Sequence, residues 1–363
     1  MSFKIEYSIS QLHRRLSQLE QIIEIQDFRK QLLSIEEDAE DLSELSKRYQ
    51  AYKKAIAGFQ QRKELNYRII IMALYRFFEM FVRETMDEYV QAAKRLSESY
   101  EQLPEKFRSS HERLSLSLLE RVGKPSYSGR LSYEDILSNL YMSKVLSEVK
   151  ISTEALAFHS FNFKHALVRE YFNRVGIENL EDRLVRHQNL ASHLYSHFGV
   201  SGDASNEVRN RALSRVIDDL VDRRNEVTHG DVTLLLSSEM MKNDYIVYIR
   251  HYCDALNSVL CDELKSMAAR FFGGKATFIG TPVKVIDDQI IWIVLNNLKV
   301  KVGDYILSKN DESSFVKAYF GEVVSLMEDG NSVDEILPKI GARAGIKVSF
   351  KANKKHDFYL YET

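Results

Sequence analysis

Three polar side chains, Arg224, Asn225 and His229, lie near the end of the segment SNEVRNRALSRVIDDLVDRRNEVTHGD. The spacing of apolar residues in this segment predicts a helix, and residues four apart share a helix face, so Asn225 and His229 lie together. Arg224 falls on the apolar stripe four residues after Leu220, where a guanidinium needs an ionic partner or a water-filled cleft. Arg224 is also long enough to reach the face that the other two share. The three side chains therefore form one candidate site.

These side chains supply the groups that cleavage of RNA without a metal ion requires. An imidazole exchanges protons near neutral pH, a guanidinium binds phosphate through its planar fork, and an amide orients a neighbour. The RNA 2′-hydroxyl attacks the adjacent phosphate when a base removes its proton, an acid protonates the leaving 5′-oxygen, and a cation stabilises the developing charge. One His229 supplies a single proton-transfer group, so we expect a two-fold dimer that brings two copies together.

A purely structural role for the same residues is the alternative interpretation. In that case Arg224 pairs with an acid such as Asp219 or Asp222 on its own helix. His229 then stabilises the helix C-terminus, where cations interact favourably with the helix dipole.

The acidic residues Asp218, Asp219 and Asp222 resemble one half of a diphosphate-binding metal site. The sequence lacks the second acidic cluster that such a site needs. Arg215 and Arg223 each lie four residues from Asp219, so this helix face is interpreted as a solvent-exposed surface with ion pairs.

Other chemically capable side chains are predicted to have structural roles. His193 and His197 in HQNLASHLYSH share a helix face and could bind zinc, but the glutamate of a zinc-protease helix is absent, and an exposed or interface face is favoured. Trp292 in QIIWIVL is predicted to belong to the core of a β domain. Core and dimer packing is also predicted for the aromatic residues Tyr75, Phe77, Phe78 and Phe81.

Long helices are predicted to position the candidate site. Only 4 prolines and 15 glycines occur in 363 residues, which favours helix over a loop-rich β fold. Apolar spacing predicts a helical hairpin over 8–93, turning near Gly58, whose second arm is apolar nearly all round between Tyr67 and Val82. Further helices are predicted at about 133–148, 153–173, 178–198, 206–229 and 237–272.

The sequence pattern changes at Gly273 and Gly274, after which short β-rich runs are separated by turn signals. This C-terminal region has 12 basic and 12 acidic residues, so it lacks the net positive charge of a sequence-independent nucleic-acid binder. We expect it to regulate or recruit rather than to cleave. The runs are KATFIG, PVKVI, QIIWIVL, LKVKV, DYILS, FVKAYFGEVVSL, IKVSF and FYLYE.

The composition excludes several classes of protein. The formal net charge is −2, and the two cysteines, Cys253 and Cys261, are too few for a disulfide framework or a cysteine-rich metal site. The sequence has no signal-peptide core, no apolar run long enough for a membrane span, and none of the common nucleotide-binding or hydrolase motifs. We therefore expect a soluble cytoplasmic protein without a cofactor or a metal.

Residues 224–229, RNEVTH, resemble the Arg-x4–6-His motif of the HEPN superfamily (higher eukaryotes and prokaryotes nucleotide-binding), in the variant with a polar residue after the arginine. RFFEMFVRETMDEYV at 76–90 resembles the aromatic-rich early helix of HEPN nucleases found beside prokaryotic toxin and phage-defence genes. The resemblance implies a helical domain that homodimerises and a metal-independent endoribonuclease, often acting on tRNA. It implies that Arg224 binds phosphate and stabilises the transition state, that His229 is the acid and base, and that Asn225 is the orienting residue.

We thus expect a mainly α protein, with a HEPN-like helical nuclease domain over 1–272 that includes the hairpin at 8–93. A small, mainly β, barrel-like domain is expected over 273–363. The expected function is an endoribonuclease in a prokaryotic toxin–antitoxin or antiviral defence system, with RNA as substrate, a homodimer through the helical domain, and an antitoxin or defence complex as a further partner. The alternative is a catalytically inactive HEPN-like protein that binds or scaffolds a partner.

Overall fold

The structure is a computed structural model. It describes residues 5–34, 50–51, 53–54, 63–122, 124, 132–158, 162–201, 203–230, 232–272, 277–309 and 319–361. The turn predicted near Gly58 in the N-terminal hairpin lies outside these residues.

The described chain is helical up to Phe272 and forms strands from Thr277 onward. A 3₁₀ turn at Tyr100–Gln102 precedes the third helix, and a π-helical turn at Met241–Ile246 joins the last two. The helices are α1 (Tyr7–Ser34), α2 (Lys63–Leu96), α3 (Glu105–Leu119), α4 (Tyr133–Lys144), α5 (Thr153–Ala157), α6 (His165–Asn173), α7 (Leu180–Leu184), α8 (Gln188–Phe198), α9 (Asn206–His229), α10 (Ser238–Met240) and α11 (Val247–Phe272).

Helix α2 is central to the helical region, as its continuous apolar sequence predicts. It packs against α1, α9 and α11, so apolar side chains on most of its faces are removed from water. The buried residues of α2 include Tyr67, Ile70, Ile71, Leu74, Tyr75, Phe78, Phe81 and Val82.

Helix α9 begins and ends at the residues that the sequence predicts. The Ser205 side chain accepts a hydrogen bond from the Val208 amide (3.4 Å), which caps the first turn. Gly230 has φ +92°, a left-handed conformation that favours glycine, and its amide donates to the Glu226 carbonyl at 2.9 Å. The buried stripe of α9 consists of Ala212, Leu213, Val216, Ile217, Leu220 and Val221.

The C-terminal region forms a curled antiparallel sheet, in agreement with the predicted small β domain. The main path runs β1-β10-β5-β6-β9-β3-β2, and β1 also contacts β3, which shows the curl. Strand β7 pairs with β6, and β4 pairs with β8. The strands are β1 (Thr277–Gly280), β2 (Lys284–Ile286), β3 (Ile290–Asn296), β4 (Val300–Lys301), β5 (Tyr305–Lys309), β6 (Tyr319–Glu328), β7 (Asn331–Val333), β8 (Glu335–Ile336), β9 (Ile340–Val348) and β10 (Asp357–Tyr361).

The prediction that Trp292 belongs to the core of the sheet is wrong. Ile291, Ile293 and Leu295 are buried in the sheet core, whereas Trp292 is only partly buried and lies outside that cluster. Successive side chains of a strand point to opposite faces, so Trp292 stands on the outer face of β3. The apolar run QIIWIVL suggested a strand buried on both faces, but only one face of β3 contacts the core.

The sheet contributes side chains to the core of the helical region. Tyr305 and Leu307 of β5 and Phe320 of β6 are buried in the helical core cluster, whereas Ile306 between them is buried in the core of the sheet. This alternation follows the two faces of strand β5. The sheet therefore packs against the helices through apolar contacts.

Among the helices of the described residues, none is long and apolar enough to cross a membrane. Cys253 and Cys261 are both free thiols on α11, and burial raises the pKa of each. Because the thiolate is the reactive form, neither cysteine is activated as a nucleophile.

Because Leu307 of the sheet belongs to the helical core, we predict that Leu307→Ala destabilises the helices. The loss of a buried leucine side chain lowers the free energy of unfolding by about 2–5 kcal/mol. The measurement is thermal unfolding followed by circular dichroism at a helix-sensitive wavelength. Val324→Ala, at a sheet position that is 48% exposed, is the control and should change little. If Leu307→Ala does not change the unfolding temperature of the helices, the packing of the sheet against them is contradicted.

Candidate active site

The C-terminal end of α9 is fixed by Arg68 of α2. The Arg68 guanidinium donates hydrogen bonds to the backbone carbonyls of Val227 (3.0 Å) and Gly230 (3.1 Å). The Glu64 carboxylate, one turn earlier on α2, holds the same guanidinium at 2.6 Å. A cation satisfies otherwise unpaired carbonyls there and interacts favourably with the helix dipole. Arg68 thus fixes the turn that bears His229.

Arg224 has no ion pair with any described residue. Its guanidinium carbon lies 5.5 Å from the centre of the Tyr75 ring on α2, within the range of a cation–π contact. The Arg224 Nε atom is buried without a hydrogen-bond partner. The side chain is half-buried, so water compensates its charge less than at an open surface. Arg224 is therefore a cation whose surroundings favour an anionic ligand.

A purely structural role for Arg224 requires an ion pair with Asp219 or Asp222, but both acids are paired with other residues. Asp219 accepts from Nε of Arg223 at 2.7 Å, and Asp222 forms an ion pair with Lys164 at 2.7 Å. The interpretation that Arg224 is neutralised on its own helix therefore has no support in the geometry.

A chain of hydrogen bonds orients Asn225 beside Arg224. The Tyr75 hydroxyl accepts from the Phe163 amide (3.2 Å) and donates to Asn162 Oδ1 (3.3 Å), and burial raises the pKa of this phenol, which keeps it protonated. Asn162 Nδ2 then donates to Asn225 Oδ1 at 2.9 Å. The same oxygen accepts from Arg224 Nη1 at 3.2 Å. Asn225 Oδ1 therefore accepts two hydrogen bonds, and the Nδ2 group of the same side chain is available to donate to another group.

His229 is the last residue of α9 and is exposed to solvent. It stands one turn beyond Asn225 on the same face, and about 7.5 Å beyond Arg224 along the helix axis. The structure therefore brings Arg224 and Asn225 into direct contact, and it places His229 on the adjacent turn without a hydrogen bond to any described residue.

Arg223, the neighbour of Arg224, is bound by an acid and two tyrosines of the protein itself. Its guanidinium donates to Asp219 (2.7 Å) and to the hydroxyls of Tyr245 (3.0 Å) and Tyr67 (3.1 Å). Tyr245 also donates to Asp219, so two of these three partners of Arg223 are themselves linked. Of the two adjacent arginines, Arg224 is thus the one without a carboxylate partner among the described residues.

The acidic residues of α9 do not form a common site. Asp218 accepts from the backbone amide of His165 (2.8 Å), while Asp219 and Asp222 bind different cations. The predicted pair between Arg223 and Asp219 is confirmed. Arg215 is exposed, as predicted, but it forms no ion pair with a described residue, and its guanidinium lies over the Phe198 ring at 4.9 Å.

The histidines of α8 form a stacked pair. The rings of His193 and His197 lie 3.9 Å apart and are nearly parallel, and burial lowers the pKa of His193 to about 4. Throughout the part of the chain that the structure describes, no three His, Cys, Asp or Glu side chains are arranged to hold a metal ion. His197 is exposed, as predicted, whereas His193 is buried.

A cleft of about 990 Å³ adjoins this network. Asn162 belongs to its wall and also bonds Asn225, so the cleft and the candidate site share one side chain. The lining is mixed in charge, with Lys106, Lys164 and Arg169 beside Glu170, Glu178 and Glu181. The cleft thus offers space for a polar ligand at Asn162, one hydrogen bond away from Asn225.

Three residues that sequence analysis did not assign to the site contribute to it: Arg68, Tyr75 and Asn162. Tyr75 was predicted to be core, and its ring is indeed buried, but its hydroxyl begins the chain that leads to Asn225. A hydroxyl within an otherwise apolar run was the available signal. Nothing in the local pattern around Asn162 indicated its contact with Asn225, since the two are 63 residues apart.

The model of the RiboL-PSP-HEPN family matches residues 30–262, so the chain belongs to this HEPN family. The match covers α2 and α9, which carry the network around Arg224. No curated protein matches the chain. Membership of this family points to a nuclease or another RNA-related function.

The Arg68 contacts predict that this side chain stabilises the end of α9. We expect Arg68→Met to lower the free energy of unfolding by about 1–2 kcal/mol, because the terminal carbonyls lose charge-assisted hydrogen bonds. Hydrogen exchange should also become faster in the last turn of α9. Arg76→Met is the control, since Arg76 is 55% exposed and pairs with Glu79 on the surface of the same helix. Equal effects of the two substitutions would contradict the capping role.

Proposed function

We propose that this HEPN protein is a metal-independent endoribonuclease whose site contains Arg224, Asn225 and His229. The observation that carries the proposal is the state of Arg224: a half-buried guanidinium with an unpartnered Nε and no ion pair with a described residue. Leaving a cation in such surroundings is unfavourable unless an anion occupies the site during function. A phosphate of RNA matches the planar fork of arginine.

In the proposed reaction, the 2′-oxygen of the RNA attacks the adjacent phosphorus and the bond from phosphorus to the 5′-oxygen breaks. One His229 accepts the proton of the 2′-hydroxyl, and a second imidazole donates a proton to the leaving 5′-oxygen. Arg224 binds the nonbridging phosphoryl oxygens, where negative charge increases in the transition state. Asn225 holds the guanidinium through Oδ1 and offers Nδ2 to the phosphate. The products are a 2′,3′-cyclic phosphate and a 5′-hydroxyl.

The second imidazole is proposed to come from a second copy of the chain. Leu65, Ile69 and Met72 follow one another at helical spacing on α2 and are exposed in the single chain. This surface borders the candidate site, since Met72 Sδ lies 4.0 Å from the hydroxyl of Thr228, the residue before His229. A two-fold contact here would cover the apolar side chains and bring the partner's His229 to the same cleft.

We further propose that the nuclease domain comprises residues 1–272 and that the region 273–363 recruits RNA or a partner. The biological setting that we propose is a prokaryotic toxin–antitoxin or antiviral defence system in the cytoplasm, with tRNA or another structured RNA as substrate. In such a setting an antitoxin or a defence complex would control the nuclease. These proposals rest on the resemblance of 76–90 and 224–229 to HEPN nucleases.

The site assignment predicts the effects of single substitutions. His229→Ala and Arg224→Ala should each lower the rate of RNA cleavage by roughly a hundredfold or more, because proton transfer or charge stabilisation is lost. Single-turnover assays on tRNA and on a single-stranded RNA measure the rates, and circular dichroism checks folding. Arg211→Ala removes an exposed arginine from the same helix and should cleave normally. Unchanged cleavage by a folded His229→Ala protein would remove that residue from the site.

The proposed dimer predicts the effect of a charge at Ile69, which is 54% exposed on α2. Ile69→Glu should convert the dimer to a monomer in light scattering at micromolar concentration and should reduce cleavage as well. Leu137→Glu, at a position 51% exposed on α4, is the matched control and should remain dimeric and active. A wild-type monomer with full nuclease activity would exclude a shared site, and dissociation by Leu137→Glu alone would move the interface to α4.

A further inference from the structure

The outer face of the curled sheet brings one aromatic and several basic side chains together on neighbouring strands. The register pairs Lys284 of β2 with Trp292 of β3, Trp292 with Gly345 of β9, and Gly345 with Met327 of β6. Because paired residues point to the same side of a sheet, these four positions form one row across the face. Residues on the opposite face, such as Ile291, are buried in the core.

Trp292 rests on the backbone of Gly345. A methyl group at Gly345 would lie 3.6 Å from Cε2 and 3.7 Å from Cζ2 of the indole, so the ring is in contact with the glycine. Trp292 nevertheless remains partly exposed. The sheet supports the indole from one side, and the accessible part of the ring offers a surface for another planar group.

The basic charge of this region is concentrated although the region as a whole is neutral. Residues 336–356 contain six basic residues and no Asp or Glu: Lys339, Arg343, Lys347, Lys351, Lys354 and Lys355. Lys339 and Lys351 pair with Glu328 and Asp288. The balanced total of acidic and basic residues therefore concealed a positive segment, which includes strand β9.

Two of these cations flank the indole. Arg343 and Lys347 are exposed on β9, two residues on either side of Gly345, so they are separated by about 13–14 Å along the strand. Lys284 stands next to Trp292 on the edge strand. Neither Lys284, Arg343 nor Lys347 forms an ion pair with a residue that the structure describes. An anionic chain would therefore meet three cations around one aromatic ring.

We infer that this face binds a single-stranded segment of RNA, with one base stacked on Trp292 and phosphates at Lys284, Arg343 and Lys347. Unpaired bases stack on aromatic side chains, whereas the bases of a duplex are already stacked on each other. The salt-dependent attraction of phosphates to lysine and arginine supplies the remaining affinity. The choice of RNA rests on the proposed function, and the inference gives the sheet the role of holding the substrate.

The chain contains one tryptophan, so its fluorescence reports on this face alone. The probe is a 12-nucleotide oligoadenylate with 2′-O-methyl groups, which has no free 2′-hydroxyl and therefore remains intact. Titration into the full-length protein should quench the tryptophan fluorescence in a saturable manner. Anisotropy of a labelled copy of the same probe measures total binding. Binding without quenching would place the RNA elsewhere, and the absence of binding would overturn the inference.

Substitutions on this face separate stacking from charge. Trp292→Leu should weaken binding of the probe roughly tenfold or more, whereas Trp292→Phe should retain most of the affinity because a ring remains. Lys347→Gln should weaken binding and reduce the slope of log affinity against log salt by about one. Lys299→Gln is the matched control, because Lys299 is already paired with Glu335 at 2.8 Å. Equal effects of the two lysine substitutions would contradict the inference.

The His229→Ala variant separates RNA binding on the sheet from RNA cleavage at the helical site. His229→Ala should lower cleavage of natural RNA by roughly a hundredfold or more while leaving the quenching by the methylated probe unchanged. Loss of quenching in that variant would contradict a separate binding face. Persistent quenching in a protein that cleaves no RNA would refute the nuclease but support the binding face.

Discussion

The arrangement of the candidate site depends on one interaction, the contact between the Arg224 guanidinium and the ring of Tyr75. The aromatic face holds the cation without neutralising it, whereas a carboxylate would form a closed ion pair. Asp219 and Asp222 are within the same helix, yet each binds another cation. The charge of Arg224 therefore remains for an anionic ligand. Its neighbour Arg223, bound to an acid and two phenols, shows what a structural arginine looks like in the same helix.

Helix α2 links this interaction to the rest of the molecule. It supplies the Tyr75 ring beneath Arg224, the Arg68 guanidinium that caps α9, and the Met72 side chain beside Thr228. Because α2 is buried among α1, α9 and α11, these contacts are fixed by the core rather than by a surface loop. The same helix exposes Ile69 next to the site, which connects the chemistry with the proposed association of two copies.

The periodic apolar stripe predicted α9 at about 206–229, and the structure places the helix at Asn206–His229 with Gly230 at its end. The network of Tyr75, Asn162 and Asn225 could not be predicted from local sequence signals, because it joins residues that are far apart in sequence. Strand β9 was recognised only from Ile346 onward, since Gly341 and Gly345 weaken the β signal. Gly345 also explains why Trp292 is not in the sheet core as predicted. Because Gly345 has no side chain, the indole of Trp292 fits against it on the outer face.

In the proposed mechanism, Arg224 and His229 promote cleavage of RNA through the substrate's own 2′-hydroxyl. The most direct measurement is the identity of the product ends, determined by mass spectrometry after cleavage in excess chelator. We expect fragments that end in a 2′,3′-cyclic phosphate and begin with a 5′-hydroxyl, because in this mechanism the 2′-oxygen is the nucleophile and the 5′-oxygen is the leaving group. Fragments with a 3′-hydroxyl and a 5′-phosphate, or cleavage that stops in chelator, would contradict it.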